Sequence, residues 1–139
     1  MTNYTLEETP NIESLPANSD CWTFVKTNYF GKNYFNFNGR ASRREYWIST
    51  LIINLITTAV FTVFVAMFPN NLIILNSIDA LLSLYILIPN LALSSRRFHD
   101  INLRAWWSLG FIPLLFLPFF KGDKKDNRFG RNIYDEIEL

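Results

Sequence analysis

Two long apolar runs separated by only three residues constrain this chain more than any other feature of its sequence. The first run, residues 46–68, has no charged residue, and the second, residues 72–93, has one, Asp79. A helix of about 22 residues is about 33 Å long, which is enough to cross the roughly 30 Å hydrocarbon core of a bilayer. Pro69, Asn70 and Asn71 favour a tight break between the runs. The sequence therefore predicts a membrane-spanning helical hairpin.

The composition agrees with a single membrane domain. Of the 139 residues, 50% are apolar and 18% are charged, whereas about a quarter of the residues in soluble proteins are charged. The basic residues form separate clusters beside the apolar runs instead of one continuous face, so we expect no nucleic-acid partner. A single cysteine (Cys21) and a single histidine exclude an intrachain disulfide and a site built from several such ligands. We expect no metal and no cofactor.

The chain divides into a membrane domain and two tails. Residues 1–20 are acidic without any lysine or arginine, which predicts a disordered tail, and residues 133–139 form a short C-terminal tail. The membrane domain is residues 21–132. Its first part, residues 21–38, mixes aromatic residues with lysines, which is typical of an amphipathic helix at the membrane interface. A helix packed on the protein's own loops is the alternative.

A third apolar run, residues 105–120, is short and contains Pro113 and Pro118. Five basic residues lie between Lys26 and Arg44, none in residues 69–71, and three between Arg96 and Arg104, which predicts a cytoplasmic N-terminus and an external 69–71 turn. If the third run spans, the basic residues that follow it lie outside, and if it re-enters, they stay cytoplasmic. The predicted fold is an all-α integral membrane protein: a helical hairpin plus a short third transmembrane or re-entrant helix, preceded by an interfacial amphipathic helix.

Three motifs flank the apolar runs. Ser42 and Glu45 within the first have the spacing of a helix-capping box. The motifs comprise Phe37, Gly39, Arg40, Ala41, Arg43, Tyr46 and Trp47; then Arg96, Arg97, Phe98, His99 and Asp100, followed by Trp106 and Trp107; and last Asn127, Arg128, Phe129 and Gly130. Together they resemble a bacterial family, the domain-of-unknown-function family 805 of YhaH-like small inner-membrane proteins. That resemblance implies an inner (cytoplasmic) membrane location and a helical fold, and it implies no activity. Asn102, where the family usually has glycine, also tolerates a left-handed turn.

The charged motif residues are the first candidate site. We expect them at one membrane face, where they contact anionic lipid headgroups or a protein partner. Contacts between the arginines and Glu45, or simple topology signalling, are the alternatives. Catalysis is disfavoured because His99 and Asp100 are adjacent on a helix and no nucleophile has a matching spacing. The predicted contact residues are Arg40, Arg43, Arg44, Glu45, Arg96, Arg97, His99 and Asp100.

The polar residues inside the apolar runs are the second candidate site. Helical periodicity places most of them on one stripe of each helix, and a short turn would bring the two stripes face to face. This predicted intramembrane seam comprises Asn54, Asn76, Asp79, Ser83 and Asn90. It is consistent with adhesion between helices, with oligomer contacts, or with a proton or ion relay at Asp79. Interfacial aromatic residues are predicted at Trp22, Trp47, Trp106 and Trp107.

These features predict a non-enzymatic membrane component that binds lipids, including anionic ones, or a partner, either another membrane protein or further copies of itself. The alternative is a subunit of an oligomeric transporter or channel that uses the Asp79 seam. Three short segments cannot enclose a pathway alone, so the alternative requires several copies.

Overall fold

The structure, a computed structural model, describes residues 14–104, residue 117 and residues 119–134. It contains three helices: α1 (Cys21–Tyr29), α2 (Arg43–Met67) and α3 (Leu72–Asp100). Most of the predicted acidic tail and of the third apolar run, including Trp106 and Trp107, lies outside the described residues. The all-helical prediction for the hairpin is confirmed.

Helices α2 and α3 form the hairpin, and polar caps define its breaks. The Ser42 hydroxyl accepts a hydrogen bond from the backbone N–H of Glu45 at 3.0 Å, so this half of the predicted capping box is present. Helix α2 ends just before Pro69, and Asn71 caps α3 by accepting from the N–H of Ile74 at 3.1 Å. Both helices are long and apolar enough to cross a membrane, and they leave most of their apolar side chains exposed.

Helix α3 extends further than the apolar run that predicted it. It continues through the motif arginines to Asp100, seven residues beyond the predicted run 72–93. The reason is that these charges have partners within the protein and need no solvent. The chain turns at Asn102, whose φ of 59° is left-handed, as expected for this position. Pro89 lies inside α3, as membrane helices tolerate.

Helix α1 packs against both long helices. Its buried residues Val25 and Tyr29 contact Ile53 of α2 in a small apolar core, with Ile86 of α3 beside them. The Tyr29 hydroxyl donates to Asn90 Oδ1 at 2.5 Å, and burial raises the pKa of Tyr29 to about 12. The helix is shorter than the predicted amphipathic segment 21–38. One face of α1 packs against the hairpin, and the opposite face is exposed.

Residues 119–134 form an irregular segment with one isolated antiparallel bridge between Asn127 and Gly130. This C-terminal segment lies where α2 begins and α3 ends, which we call the motif end of the hairpin. The ring of Phe119 is 6.4 Å from that of Trp47, and the N–H of Asp123 donates to the carbonyl of Asp100 at 2.8 Å. Segments that are distant in sequence therefore meet at one end of the helix pair.

Candidate functional site

The carboxylate of Asp100, the last residue of α3, is the centre of a buried charge cluster. Arg40 donates to Oδ1 from Nη2 at 2.8 Å and from Nε at 3.1 Å. Arg97, one turn earlier on α3, and the hydroxyl of Tyr134 both donate to Oδ2, the latter at 2.6 Å. Asp100 and the two arginines are fully buried. Two guanidinium groups thus share one carboxylate, so the cluster retains a net positive charge.

Further donors of both arginines bind the C-terminal segment. Backbone carbonyl oxygens accept these hydrogen bonds because an arginine has five donors and a carboxylate cannot take them all. Burial and the neighbouring Asp100 carboxylate raise the pKa of Tyr134, which keeps its hydroxyl protonated. The accepting carbonyls are those of Lys125, Arg131 and Asp123 for Arg40, and that of Phe120 for Arg97.

A second buried cluster ties the three helices together. Arg96 of α3 forms an ion pair with Glu45 of α2 at 3.1 Å, and its Nη2 donates to Asn28 Oδ1 of α1 at 2.6 Å. The Asn28 amide in turn donates to Glu45 Oε1 at 3.0 Å and to Ser49 Oγ at 3.1 Å. Glu45 therefore does not complete the capping box with its side chain, because Arg96 and Asn28 offer it stronger, charge-assisted partners.

His99 is held in place by contacts of its ring and of its backbone carbonyl. Its Nδ1 lies 3.0 Å from the carbonyl of Gly39, and the ring of Phe129 stacks on the imidazole at 3.9 Å. The Asn127 amide donates to the His99 carbonyl at 2.9 Å. Within residues 14–104 and 119–134, no three residues among histidine, cysteine, aspartate and glutamate are grouped so that they could hold a metal ion.

The structure corrects the predicted set of lipid-contacting residues. Its buried members point inward and bind each other or the backbone, so they cannot reach a headgroup; these are Arg40, Glu45, Arg96, Arg97, His99 and Asp100. The alternative that an arginine contacts Glu45 is confirmed for Arg96. Of the predicted set, only Arg43 and Arg44 remain exposed.

The structure also corrects the predicted polar seam. Asn54, Asn76, Asp79 and Ser83 are exposed and do not meet across the hairpin. Asn54 instead donates to the carbonyl of Thr50 in its own helix at 2.7 Å, as short polar side chains do in apolar surroundings. Only Asn90 has an interhelical partner, Tyr29 of α1.

Several residues of the clusters were not among the predicted site residues. Asn28 and Ser49 are short and neutral, and nothing in their immediate sequence distinguishes them from ordinary helix positions. Tyr134 lies in what was predicted to be a tail. The charges of the motifs did offer a signal for the ion pairs. Glu45 and Asp100 are the two acidic residues of arginine-rich motifs, and each pairs with an arginine of the other motif.

Together these contacts define a class of protein: a small helical protein with two helices able to cross a membrane and interlocking charged motifs at one end. The clusters bind chain segments to each other, and their geometry is that of a structural connection between α1, the hairpin and the C-terminal segment. Glu45 Oε2 and the Nε atoms of Arg96 and Arg97 have no partner among the described residues.

The chain belongs to the family described as "Protein of unknown function (DUF805)", which matches residues 34–131. It is 40% identical over 111 residues to "Inner membrane protein YhaI" of Escherichia coli (strain K12), covering 73% of this chain and 88% of that protein. It is 36% identical over 110 residues to "Inner membrane protein YhaH" of the same strain, covering 71% and 88%. No solved structure matches the chain. The family match includes both clusters except Asn28 and Tyr134.

Proposed function

We propose that this chain is a non-enzymatic component of the bacterial inner membrane whose motif end lies in the cytoplasm and binds anionic lipid headgroups. The observation that carries the proposal is the uneven exposure of charge at that end. The acidic groups of the motifs, Glu45 and Asp100, are buried in ion pairs, whereas Arg43, Arg44 and Lys121 are exposed. The surface offered to the membrane is therefore cationic.

The exposed apolar faces of α2 and α3 support a membrane location. Contiguous apolar surface of this extent is rare on soluble monomers, and two relatives are named inner membrane proteins. Basic residues are abundant at the motif end and absent from residues 69–71. By the positive-inside rule, the motif end is then cytoplasmic and the turn between the helices is external.

The position of the C-terminal segment supports the re-entrant alternative for the third apolar run. Arg104 and Phe119 both lie at the motif end, and residues 105–118 join them. These roughly 14 residues reach at most about 50 Å when fully extended, whereas crossing a 30 Å core and returning takes about 60 Å. A single crossing would leave residues 119–134 on the wrong side for their contacts with Arg40 and Arg97. A re-entrant third run would keep these contacts and leave residues 119–134 on the side of the motif end.

Arg43 and Arg44 occupy positions that folding alone does not favour. They are the first two residues of α2, where the positive end of the helix dipole disfavours cations. One turn later, Trp47 packs on Phe119, and Lys121 follows shortly after. Exposed aromatic rings beside exposed cations are typical of headgroup depth, where each basic residue contributes about 1 kcal/mol to binding of an anionic surface.

Lipid retention by matched charge variants tests this proposal. The full chain in mixed micelles is offered phosphatidylglycerol or phosphatidylcholine, and bound lipid is counted by native mass spectrometry. Replacing Arg43 and Arg44 by glutamine removes about 2 kcal/mol of attraction, so phosphatidylglycerol binding is expected to fall about thirtyfold. Lys124→Gln with Lys125→Gln removes the same charge further from the apolar run and is expected to reduce binding less than threefold.

Two outcomes contradict the proposal. Equal losses in both double variants would show a response to net charge alone. Undiminished retention after the Arg43 and Arg44 substitutions would place the lipid contact elsewhere.

The exposure of Asp79 favours a second candidate, the subunit of an oligomeric transporter or channel. An ionisable group exposed on an apolar helix is a common feature of ion pathways. Two helices enclose no pathway, so this function needs several copies. The substitution Asp79→Asn keeps a hydrogen-bonding side chain and removes the ionisable carboxyl group. If the wild-type protein conducts protons across proteoliposome membranes, the variant is expected to stop that flux. If vesicles that contain the wild-type protein hold a pH gradient as well as empty vesicles do, this candidate is excluded.

A further inference from the structure

The outer face of α3 carries polar side chains that the described part of the chain leaves unsatisfied. Asn76, Asp79 and Ser83 are all exposed, and none of them has a hydrogen-bond partner among the described residues. Other polar residues of the apolar runs behave differently, because Thr62 and Ser77 each donate to the backbone carbonyl four residues earlier. Within α3, the unsatisfied groups are thus concentrated on one short part of the helix.

These three residues form one exposed stripe that lies beside the packed face of α3. At 100° per residue they fall within about 60° of arc, and Leu72 and Leu87 extend the same stripe in both directions. Leu72 and Leu87 are 70% and 50% exposed. Leu75 and Ile86, which are buried or half-buried, lie next to the stripe, about 20–40° from Asp79 around the helix. The α2–α3 contact therefore leaves the stripe available.

The depth of the stripe makes its exposure to lipid unfavourable. Asp79 is seven residues from the start of α3, which places it about 10 Å along the helix and inside the apolar run. Membrane helices place ionisable and amide side chains toward protein because lipid cannot accept or donate hydrogen bonds. A protein surface must then cover this face.

We propose that the stripe of Leu72, Asn76, Asp79, Ser83 and Leu87 is a self-association surface, and that its partner is the α3 helix of a second copy of this chain. The stripe carries its own complement: Asn76 is a donor and an acceptor one turn before the Asp79 carboxyl group, and the Ser83 hydroxyl lies one turn after it. In a two-fold pair with parallel α3 helices, each Asp79 lies within one turn of the partner's Asn76 and Ser83. Such an isologous contact satisfies both copies at once.

The two-fold arrangement also agrees with the rest of the fold. Both copies keep their motif ends on one membrane side, because the pair axis runs along the membrane normal. The Leu72 and Leu87 side chains flank the polar residues and exclude lipid from the hydrogen bonds. The surface of Arg43 and Arg44 belongs to α2 and stays free, so this inference does not depend on lipid binding.

Disulfide trapping in native membranes tests the proposal with a matched pair of leucine positions. Cys21 is first replaced by serine, and single cysteines are introduced as Leu87→Cys, on the stripe, or Leu81→Cys, which is 68% exposed and lies about 120° from Leu87 around α3. Oxidation is expected to convert most of the first variant into a disulfide-linked dimer of this chain, and less than about one tenth as much of the second.

A polar substitution series separates the role of Asp79 from folding. With Leu87→Cys as the reporter, Asp79→Asn is expected to retain dimer formation, whereas Asp79→Leu together with Asn76→Leu is expected to lower it about tenfold through the lost hydrogen bonds. Both changes lie on an exposed face, and helix content by circular dichroism checks that the hairpin persists. Three outcomes would each overturn the proposal. They are equal disulfide trapping at residues 81 and 87, trapping that the Asn76→Leu and Asp79→Leu substitutions do not diminish, and crosslinking only to a different protein.

Discussion

Replacing Asp100 by asparagine removes the one carboxylate that two fully buried arginines share. Arg40 and Arg97 would then keep their charges without a counter-ion, although the amide oxygen could still accept one hydrogen bond. Breaking a buried ion pair by removing one partner costs about 3–5 kcal/mol. Because whole domains have free energies of unfolding of about 5–15 kcal/mol, this loss is a large fraction of the total. We expect the C-terminal segment to detach before the hairpin unfolds.

Two measurements on the full chain in micelles check this expectation. Denaturant titration gives the free energy of unfolding, expected to fall by about 3–5 kcal/mol, and limited trypsin digestion reports detachment through faster cleavage after Lys124 and Lys125. Asp126→Asn is the matched control, since Asp126 is exposed in the same segment and an exposed charge contributes below about 1 kcal/mol. If both variants are equally stable and are cleaved at the same rate, the buried cluster does not hold the segment.

Two further changes probe the contacts around this cluster and the α1 core. A methyl group at Gly122 would overlap Asp100 Oδ2 and the Tyr134 hydroxyl, so Gly122→Ala is expected to cost about 1–3 kcal/mol and to speed trypsin cleavage; wild-type behaviour would show that the segment has room here. Burial raises the pKa of Tyr29 from 10.0 to about 12, so the folded state holds its proton more tightly. That stabilisation is complete below pH 10 and is lost as the pH rises to about 12, by up to about 3 kcal/mol. Tyr29→Phe should lack this pH-dependent loss in denaturant titrations, and an identical pH profile for both proteins would refute the burial argument.

The hairpin was predictable because lipid-compatible helices are encoded by composition over a long stretch. Neither Ser42 nor Asn71 needs a distant partner to cap its helix, since each binds the backbone three residues ahead. Such local signals are independent of the tertiary fold. The left-handed turn at Asn102 was predictable for the same reason.

The burial of the motif arginines could not be predicted from local sequence. Arginine is rarely buried, so a run such as Arg96 and Arg97 beside an apolar helix is more simply interpreted as a topology signal. The environment of Arg96 depends on Glu45, 51 residues away, and that of Arg40 depends on Asp100, 60 residues away. Helical periodicity also placed Asn54 and Asp79 on polar stripes. It does not fix the rotation of each helix about its own axis, so it could not say whether the two stripes face each other.

The carbonyl ligands of Arg40 have a consequence for the order in which the chain is made. Three of them come from residues 123, 125 and 131, which are synthesised after both spanning helices. A nascent chain that has already inserted its hairpin still exposes guanidinium groups without their full set of acceptors. Completion of the motif end is therefore a late event in biogenesis, and a chain truncated before residue 123 would keep the Asp100 ion pairs but lack these carbonyl acceptors.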